Sequence, residues 1–183
     1  MTQTAQTAIT PLQRLSKVLQ LGTPSTYRSH TYVNGESLYF PTGRVYGGQV
    51  IAQAMMAASK TVPPSRLPNS IMAISFPPAI FVRICCLMWR ICVMAARFSA
   101  RRVNVTQAQG SILTAIASFQ EQGQNGIEFA DPMPEGVPEP ETLTSAKQLM
   151  EPFAEKSSYA KYYAEKSPFD IRHVTRTIML GAD

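Results

Sequence analysis

The stretch "GRVYGGQVIAQAMMAASKTVP", residues 43–63, decides how this chain folds. From about Gln49 to Thr61 it is strongly apolar and rich in alanine, which predicts a helix. A helix that is apolar on nearly every side must be buried, and a sheet wrapped around it is the simplest means of burial. Met55 and Met56 are expected to fill the core of such a domain.

Two glycines stand at the start of this helix, in front of Gln49. Gly47 and Gly48 leave backbone N–H groups unobstructed at the positive end of the helix dipole, where an anion or a carbonyl oxygen could be held. The alternative is that the glycines only let the helix pack closely on the sheet, because a lone Gly-Gly pair is a weak signal. Gly47, Gly48 and Gln49 are therefore the candidate binding residues.

The N-terminal flank predicts a helix followed by a hairpin. In "TPLQRLSKVLQLG", residues 10–22, Thr10 is a helix N-cap, Pro11 suits the first helical position, and Gly22 stands just past the end. In "HTYVNGESLYF", residues 30–40, Asn34-Gly35 predicts a two-residue type I′ turn, because both residues tolerate positive φ.

The C-terminal flank predicts a second hairpin and then a linker. Residues 98–107 and 111–120 are rich in β-branched side chains and are separated by a short turn, which predicts two antiparallel strands. We predict a first domain over residues 1–121, a proline- and glycine-rich linker with a helical stretch over 122–166, and a further unit beginning with a strand at 167–183. A central helix on an antiparallel sheet is an α+β architecture.

The composition excludes several classes of function. The net charge of +5 comes from residues 37–120, because no acidic residue lies between Glu36 and Glu121. Arg101 and Arg102 are the only basic cluster, which is too small to indicate nucleic-acid binding. Because they are adjacent in a predicted strand, we expect one to face solvent and the other an interface or ligand. His30 and His173 have no recognisable nucleophile spacing, so both are expected to be structural or exposed.

Residues 72–97 do not match the rest of the chain. They hold no acidic residue, the single tryptophan and all three cysteines, Cys85, Cys86 and Cys92. The cysteine spacing fits no zinc motif, and no partner indicates redox chemistry. The segment is long enough for a transmembrane helix, but Pro77-Pro78 and two arginines interrupt it. We expect no metal, no cofactor and no membrane contact.

Several motifs in order resemble the N-terminal half of type II acyl-CoA thioesterases. They are residues 43–63, "FSARRVNVTQAQGSILTAIASFQ" at 98–120, and the proline-rich linker that follows. The resemblance implies a double hotdog fold, of which this chain carries the first repeat while the second is missing after its start at 167–183. It also implies hydrolysis of acyl-CoA to fatty acid and CoA without a metal.

The resemblance explains residues 72–97 as a shifted reading frame. If one base is missing before the codon of Met72, the genetic code forces glycine at 73, leucine at 86, valine at 89 and glycine at 95. These four identities fit the family pattern, and the other positions permit it. An apolar run in place of alternating strands should expose apolar side chains, and we therefore expect marginal solubility.

The resemblance places the catalytic Asp, Thr/Ser and Gln of the family in the second repeat, so none matches a position here. In the first repeat, only Gly47, Gly48 and Gln49 are expected to line the substrate pocket. Acyl-CoA is the implied partner, and the intact family is expected to form homo-oligomers. No signal peptide begins the sequence, which predicts a cytoplasmic location. A non-catalytic hotdog module that binds acyl-CoA or a partner subunit is the alternative function.

Overall fold

The computed structural model describes residues 9–27, 30–76, 85–123 and 125–175. The chain divides into two compact units, Leu15–Asn125 and a second unit formed by Met1–Arg14 with Gly126–Asp183. All of the described strands lie in the first unit. The domain limits expected from the sequence, at residues 121 and 166, stay a prediction.

The first unit is a mixed helix and sheet domain. Its elements in chain order are α1 (Pro11–Gln20, which begins in the second unit), β1 (Ser25–Tyr27), β2 (His30–Gly35), α2 (Gly47–Ser59), β3 (Arg66–Ser75), β4 (Cys85–Met94), β5 (Phe98–Gln107) and β6 (Gly110–Glu121). The strands form one sheet in the order β1-β2-β4-β5-β6-β3, and every neighbouring pair is antiparallel. The predicted α+β class is confirmed.

Helix α2 lies against the sheet and closes the core. It contacts strands β3 to β6, and its buried face consists of Gln49, Val50, Gln53, Ala54, Ala57 and Ala58. Strand β5 supplies part of the other side of the core, since its buried positions alternate with half-buried or exposed ones. Met55 packs against this core as predicted, whereas Met56 is 37% exposed, so its prediction as a core residue was wrong. Its position on the far side of the helix explains the exposure.

Helix α1 has the predicted start. Thr10 Oγ1 accepts from the Gln13 backbone N–H at 3.2 Å, and Gln13 Oε1 accepts from the Thr10 N–H at 2.8 Å. These reciprocal bonds satisfy two N–H groups at the helix start. The helix ends one residue earlier than expected, because Leu21 (φ 53°) and not Gly22 takes the left-handed conformation.

The predicted type I′ turn at Asn34-Gly35 was wrong. Both residues belong to β2 and pair with β4, at Cys86 and Cys85 respectively. Gly35 is explained by close packing around β2 and not by the backbone conformation of a turn. A Cβ at position 35 would stand 3.0 Å from Gln53 Nε2 and 3.2 Å from Leu21 Cδ2, so any other residue would push these two side chains away from β2.

The unusual segment 72–97 contributes to β3 and β4. Strand β4 pairs in register with β2 and β5, with one irregularity between Ile91 and Val93. The predicted exposure of apolar side chains is confirmed at Met72, Ile74, Phe76, Ile91 and Met94, which are 45–69% exposed. Pro77-Pro78, predicted to break the segment, lies outside the described residues.

The second unit contains the predicted broken helical stretch. It consists of short helices α3 (Ala146–Met150) and α4 (Ser158–Glu165), with single 3-10 turns at Pro140–Thr142 and Glu151–Phe153. Residues 125–139 have no regular secondary structure apart from a turn. Of the strand predicted from residue 167, the described part shows one isolated bridge between Ser145 and Arg172. Residues 176–183 lie outside the described part.

Candidate functional site

Helix α2 begins at Gly47, and both Gly47 and Gly48 are exposed. A turn at Gly43 (φ 72°) leads the chain into Tyr46, which is the N-cap and gives no side-chain cap to the helix. The Tyr46 carbonyl accepts from the N–H groups of Gln49 and Val50. Because the first N–H groups of a helix have no acceptor within it, those of Gly47 and Gly48 depend on a group from outside the helix.

The two glycines differ in what surrounds them. A Cβ at Gly48 would lie 2.5 Å from Cε1 of the Tyr46 ring, which is 59% exposed and would have to move aside. A Cβ at Gly47 would have no atom within 4 Å. Neither added Cβ has a sheet residue among its nearest neighbours, so close packing of the helix on the sheet is not the reason for either glycine. Gly47 is the position at which a ligand could approach the helix.

Gln49, the third candidate, is buried beside the glycines. Its Nε2 donates to the Glu36 carbonyl at 3.0 Å, and its Oε1 accepts from the Leu38 N–H at 3.1 Å. One turn further along, Gln53 Nε2 donates to the carbonyls of Glu36 (2.8 Å) and Val18 (3.0 Å). In this structure the Gln49 side chain therefore holds the segment after β2 against the helix.

A small cavity adjoins the open helix end. It has a volume of about 210 Å³ and is lined by Arg44, Val45, Gly47, Val50, Ser75, Ile112 and Leu113. Four of these residues are buried aliphatics from the loop before α2, from α2 itself and from β6. The exposed Arg44, Gly47 and Ser75 line its open side, and the aliphatic side chains line its inner side, which suits a ligand with a polar group next to an apolar chain.

The opposite end of α2 is held by a buried cation. Arg101 is fully buried, and its Nε and Nη2 donate to Oγ1 and the carbonyl of Thr61, each at 2.8 Å. Burial lowers the pKa of the guanidinium, the nearby Arg66 cation lowers it further, and the Cys92 thiol acts in the opposite direction. A cation here is favourable because the helix dipole is negative at its C-terminal end. Arg102 is exposed, as one of the two was predicted to be.

The other chemically notable residues form no second site in the described part of the chain. His30 begins β2, and the half-buried His173 has an Nε2 with no hydrogen-bond partner there. Cys92 is exposed, and Cys85 and Cys86 lie in β4. Across residues 9–27, 30–76, 85–123 and 125–175, no three His, Cys, Asp or Glu side chains converge as metal ligands would.

Comparison with known proteins gives the family context. No family model matches the chain. Acyl-CoA thioesterase 2 of Haemophilus influenzae is 32% identical over 146 residues, which are 75% of this chain and 48% of that protein. The chain is homologous to type II acyl-CoA thioesterases. It spans about half the length of this curated relative.

Two solved structures superpose on the chain. The tesB protein of Mycobacterium avium subspecies paratuberculosis superposes with a TM-score of 0.62 at 28% identity, over 72% of this chain and 50% of that one. An acyl-CoA thioesterase II of Mycobacterium marinum gives 0.58 at 25% identity, over 69% and 45%. The helix on its antiparallel sheet is therefore a hotdog fold, as the resemblance implied.

The sequence patterns identified the start of α2 as a candidate site but did not identify most of the residues that line the cavity. Val45 stands inside the quoted motif, but nothing in the motif shows that it faces a cavity. Ile112 and Leu113 are adjacent in β6, where strict alternation predicts only one buried side chain, yet both are buried. This pair of adjacent aliphatic residues is the sequence signal that could have indicated the cavity. None of the helices in the described part has the length and apolar character required to cross a bilayer.

Proposed function

We propose that this chain supplies the acyl-CoA-binding hotdog repeat of an acyl-CoA thioesterase. The observation that carries the proposal is the open first turn of α2 at Gly47 beside an aliphatic cavity of about 210 Å³, in a chain homologous to these enzymes. The thioester carbonyl oxygen would accept from the Gly47 N–H, and the acyl chain would enter the cavity. Gly48 and Gln49 would shape the same end of the helix.

Hydrolysis of the thioester needs more than this binding geometry. Water must add to the carbonyl carbon, the carbon–sulfur bond must break, and the CoA thiolate must receive a proton. A general base within hydrogen-bond reach of the water is required. The family resemblance assigns water activation to an Asp, a Thr/Ser and a Gln in a second repeat. We therefore expect the 183 residues alone to bind acyl-CoA and to turn it over slowly or not at all.

We propose further that residues 72–97 are the product of a shifted reading frame. The four forced residues at positions 73, 86, 89 and 95 support this, and so does the exposure of apolar side chains such as Met72 and Ile91. The DNA of this segment is the test, because each codon must be able to yield the family pattern in the neighbouring frame. A codon that cannot do so contradicts the proposal.

The alternative is a non-catalytic hotdog module that binds acyl-CoA or a partner subunit. It is favoured by the position of β3, which forms one edge of the sheet and bears exposed apolar residues on one face. An open strand edge can pair with another chain. A homo-oligomer and a cytoplasmic location both stay predictions.

A substitution pair at Gly47 tests the binding proposal. Gly47→Pro removes the N–H but suits the first helical position, because Tyr46 before it already has φ −63° and ψ 123°. Gly47→Ala keeps the N–H and adds a methyl group into open space. We expect the proline variant to bind acyl-CoA roughly fivefold more weakly, the loss of one hydrogen bond, and the alanine variant to bind like the original chain.

The readouts are binding by titration calorimetry and release of free CoA thiol. Equal affinity of the original chain and both variants contradicts a role for the Gly47 N–H. Binding without thiol release fits both the acyl-CoA-binding repeat and the non-catalytic module, whereas thiol release that the proline substitution slows contradicts the non-catalytic module.

A further inference from the structure

Strand β3 has an open edge in the described part of the chain. There it pairs with β6 on one side and with no strand on the other. The Phe76 N–H, just after the strand, donates to the Ile112 carbonyl at 3.0 Å. Because the N–H groups of a strand point alternately to its two sides, those of Ile71, Ala73 and Ser75 point to the open edge. This edge can therefore form backbone hydrogen bonds with a further strand.

The regular part of this edge is six residues long. A register irregularity lies between Pro68 and Ser70, so regular pairing with a further strand is confined to residues 70–75. Met72 and Ile74 lie on the solvent face of these residues and are 69% and 59% exposed. A strand added here would gain apolar contacts as well as backbone hydrogen bonds.

Another stretch of the chain has the features of such a strand. Residues 126–131, "GIEFAD", are exposed, belong to no helix or strand and contain no proline, although Pro132 follows at once. Ile127 and Phe129 are 101% and 88% exposed, and in an extended chain they share one face. The segment therefore matches residues 70–75 in length and carries apolar side chains at alternate positions.

Charge favours the pairing of these two stretches over the pairing of either with itself. Residues 121–141 contain six acidic residues and no basic one, whereas residues 37–120 contain eight arginines and lysines and no acidic one. Opposite charges steer two surfaces together, and like charges oppose association. The acidic segment is therefore complementary to the sheet and not to another copy of itself.

We propose that residues 126–131 of one copy add as a strand to the open edge of β3 in a second copy. In this mode of recognition the backbone hydrogen bonds give affinity and the alternate side chains give specificity. If each copy donates its segment to the other, the exchange closes a symmetric dimer. The inference does not depend on acyl-CoA binding.

Sedimentation velocity of the full 183-residue chain tests the proposal. We expect a monomer at about 1 μM and a dimer with a Kd on the order of 10–100 μM, because two six-residue pairings bury less surface than a standard interface. Raising the NaCl concentration from about 50 mM to about 500 mM should weaken the dimer, because salt screens opposite charges. Non-specific apolar association would not weaken in this way.

A substitution in the segment tests the donor side. Phe129→Asp should raise the Kd of the dimer at least roughly tenfold, because no aromatic ring then leaves water on association. The residue lies in no helix or strand, so the fold does not depend on it. Met133→Asp is the matched control, because Met133 is a 75% exposed apolar residue beyond Pro132, and it should leave the Kd unchanged.

A substitution in β3 tests the acceptor side. Met72→Asp places an acidic group beside the acidic segment and should raise the Kd by a similar factor. Ile91→Asp is the control, because Ile91 is a 60% exposed apolar residue in β4, at a distance of three strands from β3. Circular dichroism verifies that both variants fold, and the donor-side pair remains decisive if Met72→Asp does not.

Each outcome supports or overturns the exchange. A chain that stays monomeric at about 100 μM overturns it, since weak interfaces associate at such concentrations. A dimer that Met133→Asp weakens as much as Phe129→Asp, or Ile91→Asp as much as Met72→Asp, also overturns it. Species larger than a dimer contradict reciprocal donation. Titration with acyl-CoA tests the proposed function separately, so either proposal can fail without the other.

Discussion

At the scale of single residues, the adjacent Arg101 and Arg102 show how a strand separates two identical side chains. Successive residues of a strand point to opposite faces, so Arg101 enters the core and Arg102 faces solvent. The buried guanidinium donates to two oxygens of Thr61, beyond the C-terminal end of α2. It therefore joins the central helix to the sheet.

We predict that Arg101→Lys lowers the free energy of unfolding by about 2–4 kcal/mol. Lysine keeps the charge, but its ammonium group cannot replace the fork of the guanidinium that donates to both Oγ1 and the carbonyl of Thr61. Arg102→Lys is the control and should change it by less than about 0.5 kcal/mol, as exposed substitutions usually do. Urea unfolding followed by circular dichroism compares the two. Equal effects at both positions would show that the Thr61 contacts contribute nothing particular to stability.

At the scale of elements, α2 is tied to its surroundings by two glutamines one turn apart. Gln53 uses both of its N–H groups to join the carbonyl of Val18 in α1 and that of Glu36 after β2. Gln49 donates once and accepts once. Gln53 Oε1 has no partner among the described residues, so this amide acts as a donor only.

This difference predicts different responses to a carboxylate. Gln53→Glu replaces a double donor with an acceptor facing two carbonyls, and it should cost at least about 2 kcal/mol at pH 7. Gln49→Glu keeps the acceptor for the Leu38 N–H and turns an oxygen toward only one carbonyl, that of Glu36, so it should cost less than Gln53→Glu.

The same substitution should make stability depend on pH. Burial near carbonyl oxygens raises the pKa of a carboxyl group in the folded state, so the destabilisation is present at high pH and decreases as pH falls through that raised value. Unfolding of both variants measured at pH 5 and pH 7 tests this. The prediction is contradicted if the free energy of unfolding of Gln53→Glu changes no more between pH 5 and pH 7 than that of Gln49→Glu.

At the scale of the whole molecule, the first part of the second unit exposes large apolar side chains. Ile127 and Phe129 are 101% and 88% exposed, and residues 125–139 carry no helix or strand. Proteases cut such segments first, because an extended backbone fits their active sites.

Brief chymotrypsin treatment should therefore cut first after Phe129 and leave Phe119, which is fully buried in β6, intact. Phe129→Ser should remove this first cut without changing the later ones. Mass spectrometry of the earliest products reads the outcome. A first cut inside Leu15–Asn125 would contradict the division into units and the domain limits expected from the sequence.

Local sequence signals predicted those elements whose structure depends on near neighbours. The cap at Thr10, the central helix and the β5–β6 hairpin follow from propensity and periodicity, and the structure confirms all three. Asn34-Gly35 shows the limit of such signals. The pair favours a turn, but pairing with β4 and the proximity of Gln53 place it inside a strand, and neither partner is visible in the local sequence.

The sequence by itself determined the α+β class, the buried helix and the position of Gly47 at its start, because hydrophobic periodicity and chain stereochemistry act over short distances. Only the tertiary structure decided which glycine is open, which arginine holds the helix end and how large the cavity is. These features arise where α2, β6 and the loop before the helix meet. Their packing depends on residues up to about seventy positions apart, which no local pattern encodes.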